Sequence, residues 1–301
     1  MKWSRRSKRH WPMAEQAPTI ALGTVQFGMP YGITNPHGQT PAEEVGAILE
    51  LFAAHGGRVI DTAIGYGKSE QVLGQHDLSR FRVVSKVPEV PEDVLDIAGW
   101  MRGMVEGSLA RLGVPKLAGL LLHRPQQLAQ ARGAEIHAAL AGVKKAGLVE
   151  KIGASIYDPA TLETLGDRFT PDVVQCPFNA FDQRILHSKL AESGVELHVR
   201  SAFLQGILLT PANDLPPYFR RWAPLWARWE AWQGESGQTP LQACLGHALS
   251  SSQIGQVVLG VNTRAQLAEV YATTAAPHRA APSALATNDP ELINPALWKT
   301  T

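Results

Sequence analysis

Cysteine is nearly absent: Cys176 and Cys244 are the only two in 301 residues. Two thiols make no disulfide framework, so a reducing cytoplasm is the simplest expectation, with both side chains acting as small buried hydrophobes. Long apolar runs are missing as well. No stretch approaches the roughly 18 residues that a membrane helix needs, and no membrane partner is expected. Net charge is close to zero, with 28 basic against 27 acidic side chains and a formal +1. Such a balance gives no field to hold nucleic acid. It is unevenly spread, because five basic residues fall in the first ten and leave the remainder at −4. No Gly-x-Gly-x-x-Gly follows the first apolar run, and no Gly-x-x-x-x-Gly-Lys-Ser/Thr occurs. The nearest imitation, Gly65-Tyr66-Gly67-Lys68-Ser69-Glu70, ends in an acid that would repel phosphate. The ten histidines form neither a His-x-His pair at a strand end nor His-Glu-x-x-His. No metal site is expected, and a barrel metallo-hydrolase is set aside.

What is present describes an ordinary globular protein, with 45% hydrophobic and 18% charged residues. Residues 1–16 read as a disordered basic tail: Arg5-Arg6 suggests an export signal, but no apolar stretch follows it. Residues 17–285 read as one domain and 286–301 as a C-terminal tail. Within the domain, eight short apolar runs alternate with segments of helical periodicity: residues 20–24, 58–62, 83–87, 119–123, 151–155, 173–175, 196–201 and 256–261. Helix starts are marked by Thr40-Pro41-Ala42-Glu43, Asp158-Pro159, Thr239-Pro240 and Thr263-Arg264-Ala265-Gln266, each supplying an acceptor for unpaired N–H groups. Eight such units in this length predict an α/β protein, a (β/α)8 TIM barrel. A doubly wound open sheet is the competitor and lacks its phosphate fingerprint. The longest connection, after residue 207, carries Trp222, Trp226, Trp229 and Trp232 at spacings of 4, 3 and 3. One helical face is therefore nearly continuous indole, expected to pack on the barrel rather than to line a mouth.

In a barrel the C-terminal strand ends converge, so their polar residues are the ones that carry chemistry. The second run ends at Asp61 and leads to Tyr66, the third ends at Lys86 and the fourth at His123. Four ionisable groups from three neighbouring strands are hard to explain as packing. A phenol, with an ordinary pKa of about 10, is a weak acid near neutrality, and an adjacent ammonium favours its phenolate. Tyr66 beside Lys86 would be a usable proton donor, Asp61 would keep Lys86 charged, and a neutral His123 would hold a carbonyl oxygen. These groups protonate an oxygen but deliver no hydride, so a carbonyl reduction needs a nicotinamide cofactor.

The residues Asp61-Thr62-Ala63-Ile64-Gly65-Tyr66-Gly67-Lys68-Ser69-Glu70, with Leu73-Gly74 beyond them and Lys86 and His123 later, resemble the aldo-keto reductase superfamily over about residues 22–269. The opening Leu22-Gly23-Thr24-Val25-Gln26-Phe27-Gly28 is similar to bacterial members. The resemblance implies Asp61, Tyr66, Lys86 and His123 as a catalytic tetrad and Gly23 and Thr24 as cofactor-binding. It implies Ser155 and Gln175 as holders of the nicotinamide carboxamide; Ile156 stands where many members have Asn, with Asn179 as a substitute. Arg200 stands where other members stack an aromatic on the nicotinamide, and Ser201, Leu204 and Gly206 match the pyrophosphate turn. Gly260, Asn262, Arg264 and Gln266 match the segment that separates NADP from NAD. NADP(H) is expected, with NAD(H) the other possibility, and a carbonyl or sugar as substrate of a monomer or small homo-oligomer. The alternative is a cofactor-binding regulatory subunit on the same fold with marginal turnover.

Overall fold

The computed structural model describes residues 19–299; the predicted N-terminal tail, residues 1–16, lies outside them. Eight parallel strands follow one another in chain order and close on themselves: β1 (Thr19–Gly23), β2 (Val59–Asp61), β3 (Arg82–Val87), β4 (Gly119–Leu122), β5 (Ile152–Ser155), β6 (Val173–Pro177), β7 (Glu196–Arg200) and β8 (Gln256–Gly260). Closure is made by β1 against β8, with Gly23 opposite Gly260 on one side and Asp61 on the other. The TIM barrel expectation is borne out, and the eight strand positions agree with the apolar runs to within a residue or two. A strand buried on both faces reads as a continuous apolar run, which is why these were visible. Inside the barrel, space is tight. A Cβ at Gly153 would lie 1.8 Å from the Val173 carbonyl oxygen, so β5 tolerates no side chain there.

The helix starts divide into two kinds. Thr239 forms a full capping box with Gln242, and Thr263 accepts from the Gln266 N–H at 3.2 Å. Thr40 does not cap. Its hydroxyl is buried without a partner, and the helix Ala42–Ala54 starts after Pro41, whose ψ of 144° keeps the chain extended for one residue more. The reason lies outside the segment: Thr40 N–H is bonded to the Gln26 carbonyl, which holds the approach straight.

Three apolar bodies form, the smallest being Val84, Leu121 and Val173. The largest lies between the barrel and its helices. The second gathers Leu204, Ile207 and Leu208 after β7 with Trp226, Trp229 and Trp232 of the helix Ala223–Ser236. All three indoles are buried, and Trp229 donates to the Leu208 carbonyl. Residues 286–299, expected as a tail, are part of this body: Leu292 and Ile293 are fully buried, and Asp289 accepts from the Trp222 indole at 2.9 Å. Burying two large aliphatic side chains contributes several kcal/mol, more than a free end needs to stay docked. Among the described residues no helix is long and apolar enough to cross a membrane, and no cluster of His, Cys, Asp or Glu could hold a metal.

Candidate active site at the barrel mouth

Asp61 closes β2 and Lys86 is the fifth residue of β3, so both point into the C-terminal end of the barrel. Their side chains meet at 2.6 Å, and Lys86 Nζ also donates to the Thr62 carbonyl at 3.0 Å. The pair is almost wholly buried, with side-chain exposures of 1% and 5%. Burial opposes the ammonium, but the Asp61 carboxylate and the Tyr66 oxygen together outweigh it and hold Lys86 above its ordinary value. Lys86 is thus held as an ammonium. Lys86 Nζ lies 4.9 Å from the Tyr66 ring centre. His123, just past β4, meets the Tyr66 ring edge-on at 5.9 Å between centroids. Burial, then the charges of Lys86 and Arg200, push His123 down to about 4. It is neutral at physiological pH, as the sequence reading required of it.

What places Tyr66 is a clamp on the turn that carries it. Ser69 donates to the Thr24 carbonyl at 2.8 Å, and Glu70 is held by Ser85, Ser108 and Arg111 from the next strand and helix. Gly28 lets the turn approach: a Cβ there would sit 1.9 Å from the Tyr66 carbonyl oxygen. The acid that ends the glycine-rich run is therefore an anchor. Buried and fully bonded, it explains why a Ser-Glu pair follows the tyrosine.

The other expected residues fall into three groups. Ser155, the last residue of β5, pairs with Gln175 in the middle of β6, with Ser155 Oγ 3.5 Å from Gln175 Oε1, and Gln175 Nε2 donates to Asp61 Oδ1 at 2.7 Å. Ser201, Leu204 and Gly206 lie in a turn where Ser201, Leu204, Gln205 and Gly206 all have positive φ, closed by the Leu204 N–H on the Ser201 carbonyl and the Gly206 N–H on the Phe203 carbonyl. Arg200 stacks on Tyr157 at 4.3 Å and donates to the Ile156 carbonyl. The third group has its polar atoms engaged within the fold. Thr24 Oγ1 donates to the Asp61 carbonyl, Gly23 and Gly260 face each other across the closure, and Asn262 Nδ2 donates to the Gly38 carbonyl. At the head of the helix Arg264–Thr274, the Asn262 N–H meets Gln266 Oε1 and the Arg264 N–H meets Glu44 Oε2 at 2.8 Å. Asn179, expected to stand in for the amide missing beside Ile156, accepts from Phe181 and Asp182 through its oxygen and donates to the Ser201 carbonyl through its nitrogen.

Two aromatic residues of the mouth escaped the sequence reading. Tyr157 lies two residues past Ser155 and was within reach of it. Tyr31 was not: it comes from the loop after β1 and takes a 3.3 Å hydrogen bond from Gln205 on the far loop. Tyr31 is 40% exposed; partial desolvation of its hydroxyl, with the nearby Tyr157 and Tyr66, raises it despite the opposing charge of Arg200. Both thiols, by contrast, are buried and inert, with Cys176 pushed up to about 12.

Comparison with known proteins agrees with this geometry. The model of the Aldo/keto reductase family matches residues 19–279. Two proteins called aldo-keto reductase, from Mycobacterium sp. strains KMS and JLS, are 31% identical over 181 residues. That stretch covers 57% of this chain and 63% of each relative. Two solved structures from Pseudomonas aeruginosa, described as candidate aldo-keto reductases, superpose with TM-scores of 0.63 and 0.61 at 23% and 22% identity. They cover 88% of this chain and 92% of their own, and support the fold.

Proposed function

The chain belongs to the aldo/keto reductase family, and from that premise we propose that it is a cytoplasmic oxidoreductase acting on a small carbonyl compound or sugar with a nicotinamide dinucleotide. The observation that carries the reading is the buried Lys86–Asp61 pair with its ammonium 4.9 Å from the Tyr66 ring centre and a neutral His123 edge-on to that ring. A complete acid apparatus of this kind speaks for turnover over a purely regulatory role.

The residues present fit the cofactor. The buried pair Ser155 and Gln175 brings a hydroxyl and an amide together across β5 and β6, and the left-handed turn at residues 201–206 stands where the resemblance puts the pyrophosphate, held in shape by the Leu204 and Gly206 N–H groups on the Ser201 and Phe203 carbonyls. The dinucleotide, when bound, supplies the hydride. Tyr66 donates the proton to the carbonyl oxygen in reduction and accepts it from the alcohol in oxidation. Lys86 stabilises the phenolate left behind, and Asp61 keeps Lys86 charged and aimed. His123, neutral, orients the oxygen between its ring nitrogen and the phenol. Replacing Tyr66 by Phe should cut turnover of a generic aldehyde by about 10²–10⁴-fold with dinucleotide affinity within a few-fold. Unchanged turnover would remove Tyr66 from this role.

The resemblance implies NADP(H), while one observation favours NAD(H). The acceptors at the head of the last helix are Glu44, Gln266 and Thr263, and a carboxylate already on those N–H groups opposes a second anion. Titrating the protein with NADH and NADPH in parallel decides it; Glu44→Gln should then tighten NADPH alone.

A further inference from the structure

Two arginines fasten the loop that follows β5, and only one of them is neutralised. Arg184 donates to the Tyr157 carbonyl at 2.8 Å and meets the carboxylates of Asp158 and Asp182, each at 2.8 Å. Arg200, the last residue of β7, lies over the Tyr157 ring at 4.3 Å, with Nη2 on the Ile156 carbonyl at 3.1 Å and Nη1 on the Ser201 hydroxyl at 3.3 Å. It has no ion pair among the described residues, and these contacts engage only part of its donor fork. A half-buried cation loses hydration here without gaining a counter-ion. It also belongs to the mouth. After burial and Lys86, its charge is what keeps the His123 imidazole neutral, and it is the charge that opposes burial at the Tyr31 hydroxyl. Arg124, exposed directly after His123, adds a second cation. The carboxylates nearby are taken, Asp61 by Lys86 and Asp158 and Asp182 by Arg184, so the surplus charge around Tyr66 and His123 is positive.

Resting on the function proposed above, we propose that the carbonyl substrate carries an oxyanion, a carboxylate or a phosphate, and that Arg200 receives it while Tyr66 and His123 hold the carbonyl oxygen. A guanidinium matches two oxygens of such a group at once, and the Tyr157 ring beneath it fixes its plane. Arg200 is then a specificity-determining residue, which reads the end of the substrate away from the reacting carbon. The phosphates of the dinucleotide are the other oxyanions within the chemistry of this residue, and the two sources differ in what the loss of Arg200 weakens.

Matched pairs of aldehydes supply the test: 4-carboxybenzaldehyde against its methyl ester, and glyceraldehyde 3-phosphate against glyceraldehyde. The reading is the ratio of kcat/KM within each pair, with the dinucleotide Kd measured beside it by calorimetry. Wild type should prefer the charged member of at least one pair by roughly tenfold, the worth of a charge-assisted hydrogen bond, and added salt should shrink that preference. Arg200→Gln, which keeps a donor and loses the charge, should bring the ratio to within about twofold of unity. Arg200→Lys, which keeps the charge and loses the fork, should retain part of the preference. A preference that survives in Arg200→Gln overturns the proposal. So does a ratio that Arg200→Gln leaves unchanged while dinucleotide binding weakens, since the guanidinium then serves the phosphates of the cofactor. If Arg200→Gln fails to fold, Arg200→Met is read in the same way, with a retained preference again decisive against it. Equal kcat/KM within both pairs in wild type brings down this proposal alone, whereas turnover of none of the four compounds, with no dinucleotide bound, brings down the proposed function and this proposal with it.

Discussion

The two ends of the barrel hold the same three kinds of side chain. At the mouth stand Lys86, Asp61 and His123; at the base, Lys151, Glu196 and His198. At the base, the Glu196 carboxylate bonds both the Lys151 ammonium and His198 Nε2, the latter at 2.8 Å. Those two bonds outweigh burial and hold Glu196 at about 2. At the mouth, the carboxylate bonds Lys86 and Gln175 but not the histidine. His123 makes no hydrogen bond through its ring among the described residues, and the Tyr66 ring contacts both it and the ammonium. At the base the carboxylate ties up the ammonium and His198 Nε2 together, and the remaining ring nitrogen, Nδ1, is sealed from solvent. The open arrangement at the mouth keeps a neutral imidazole and a phenol for a ligand, so composition alone does not separate an active site from a structural knot.

That contrast is sharpest in turnover. Lys86→Met should lower it by about 10³-fold, in the range that a positioned proton donor contributes, whereas Lys151→Met should leave it within twofold. Loss of activity in both, with the protein folded, would break the comparison. Gly28→Ala tests how narrowly the mouth is set. Its Cβ has no room against the Tyr66 turn, so turnover should fall by about 10²-fold, the cost of a misplacement near 1 Å. Thermal unfolding reports whether stability falls alongside. Glu196→Gln should do the reverse, costing about 1–3 kcal/mol in urea unfolding with turnover unaltered.

Acid unfolding separates the ends by pH. His123 has its folded value lowered from 6.5 to about 4. The unfolded chain therefore binds the extra proton first, and stability falls as pH drops from about 6.5 toward 4, then levels off. His247, buried and held at about 4, contributes to the same window. Glu196, lowered from 4.5 to about 2, stabilises above its unfolded value and loses that contribution as pH falls from 4.5 through 2. Urea unfolding across pH should show His123→Asn flattening the upper window by about 1–2 kcal/mol, after screening is allowed for, and Glu196→Gln flattening the lower. A single shared window would contradict the assignment. The smallest effect belongs to Thr239→Ala, about 1 kcal/mol from one cap, with neither end disturbed.

The barrel was legible because each strand is buried on both faces and each crossover helix on one, so hydrophobic periodicity writes the order of elements directly. Asp61, Tyr66, Lys86 and His123 were legible for a related reason: a charge or a ring at the end of an apolar strand stands out against its neighbours. Thr40 shows the limit. Its segment carries every local sign of a cap, and a distant hydrogen bond to Gln26 displaces the helix start. The Gln175 contact with Asp61 spans 114 positions, and Glu44 reaches the head of the last helix across 220. No local pattern records either.

Sequence by itself determined the fold class and the identities of the four ionisable residues at the mouth, because both follow from short-range periodicity and from the position of polar groups along a strand. Only the tertiary structure decided what those groups face. It directs Glu70 to an anchor, leaves His123 neutral and seats residues 286–299 on the Trp-rich cluster. It also brings Lys86 and Gln175 to the two oxygens of Asp61. Hydrogen-bond polarity is a property of who meets whom in space, and barrel closure brings together residues that the chain keeps a hundred positions apart.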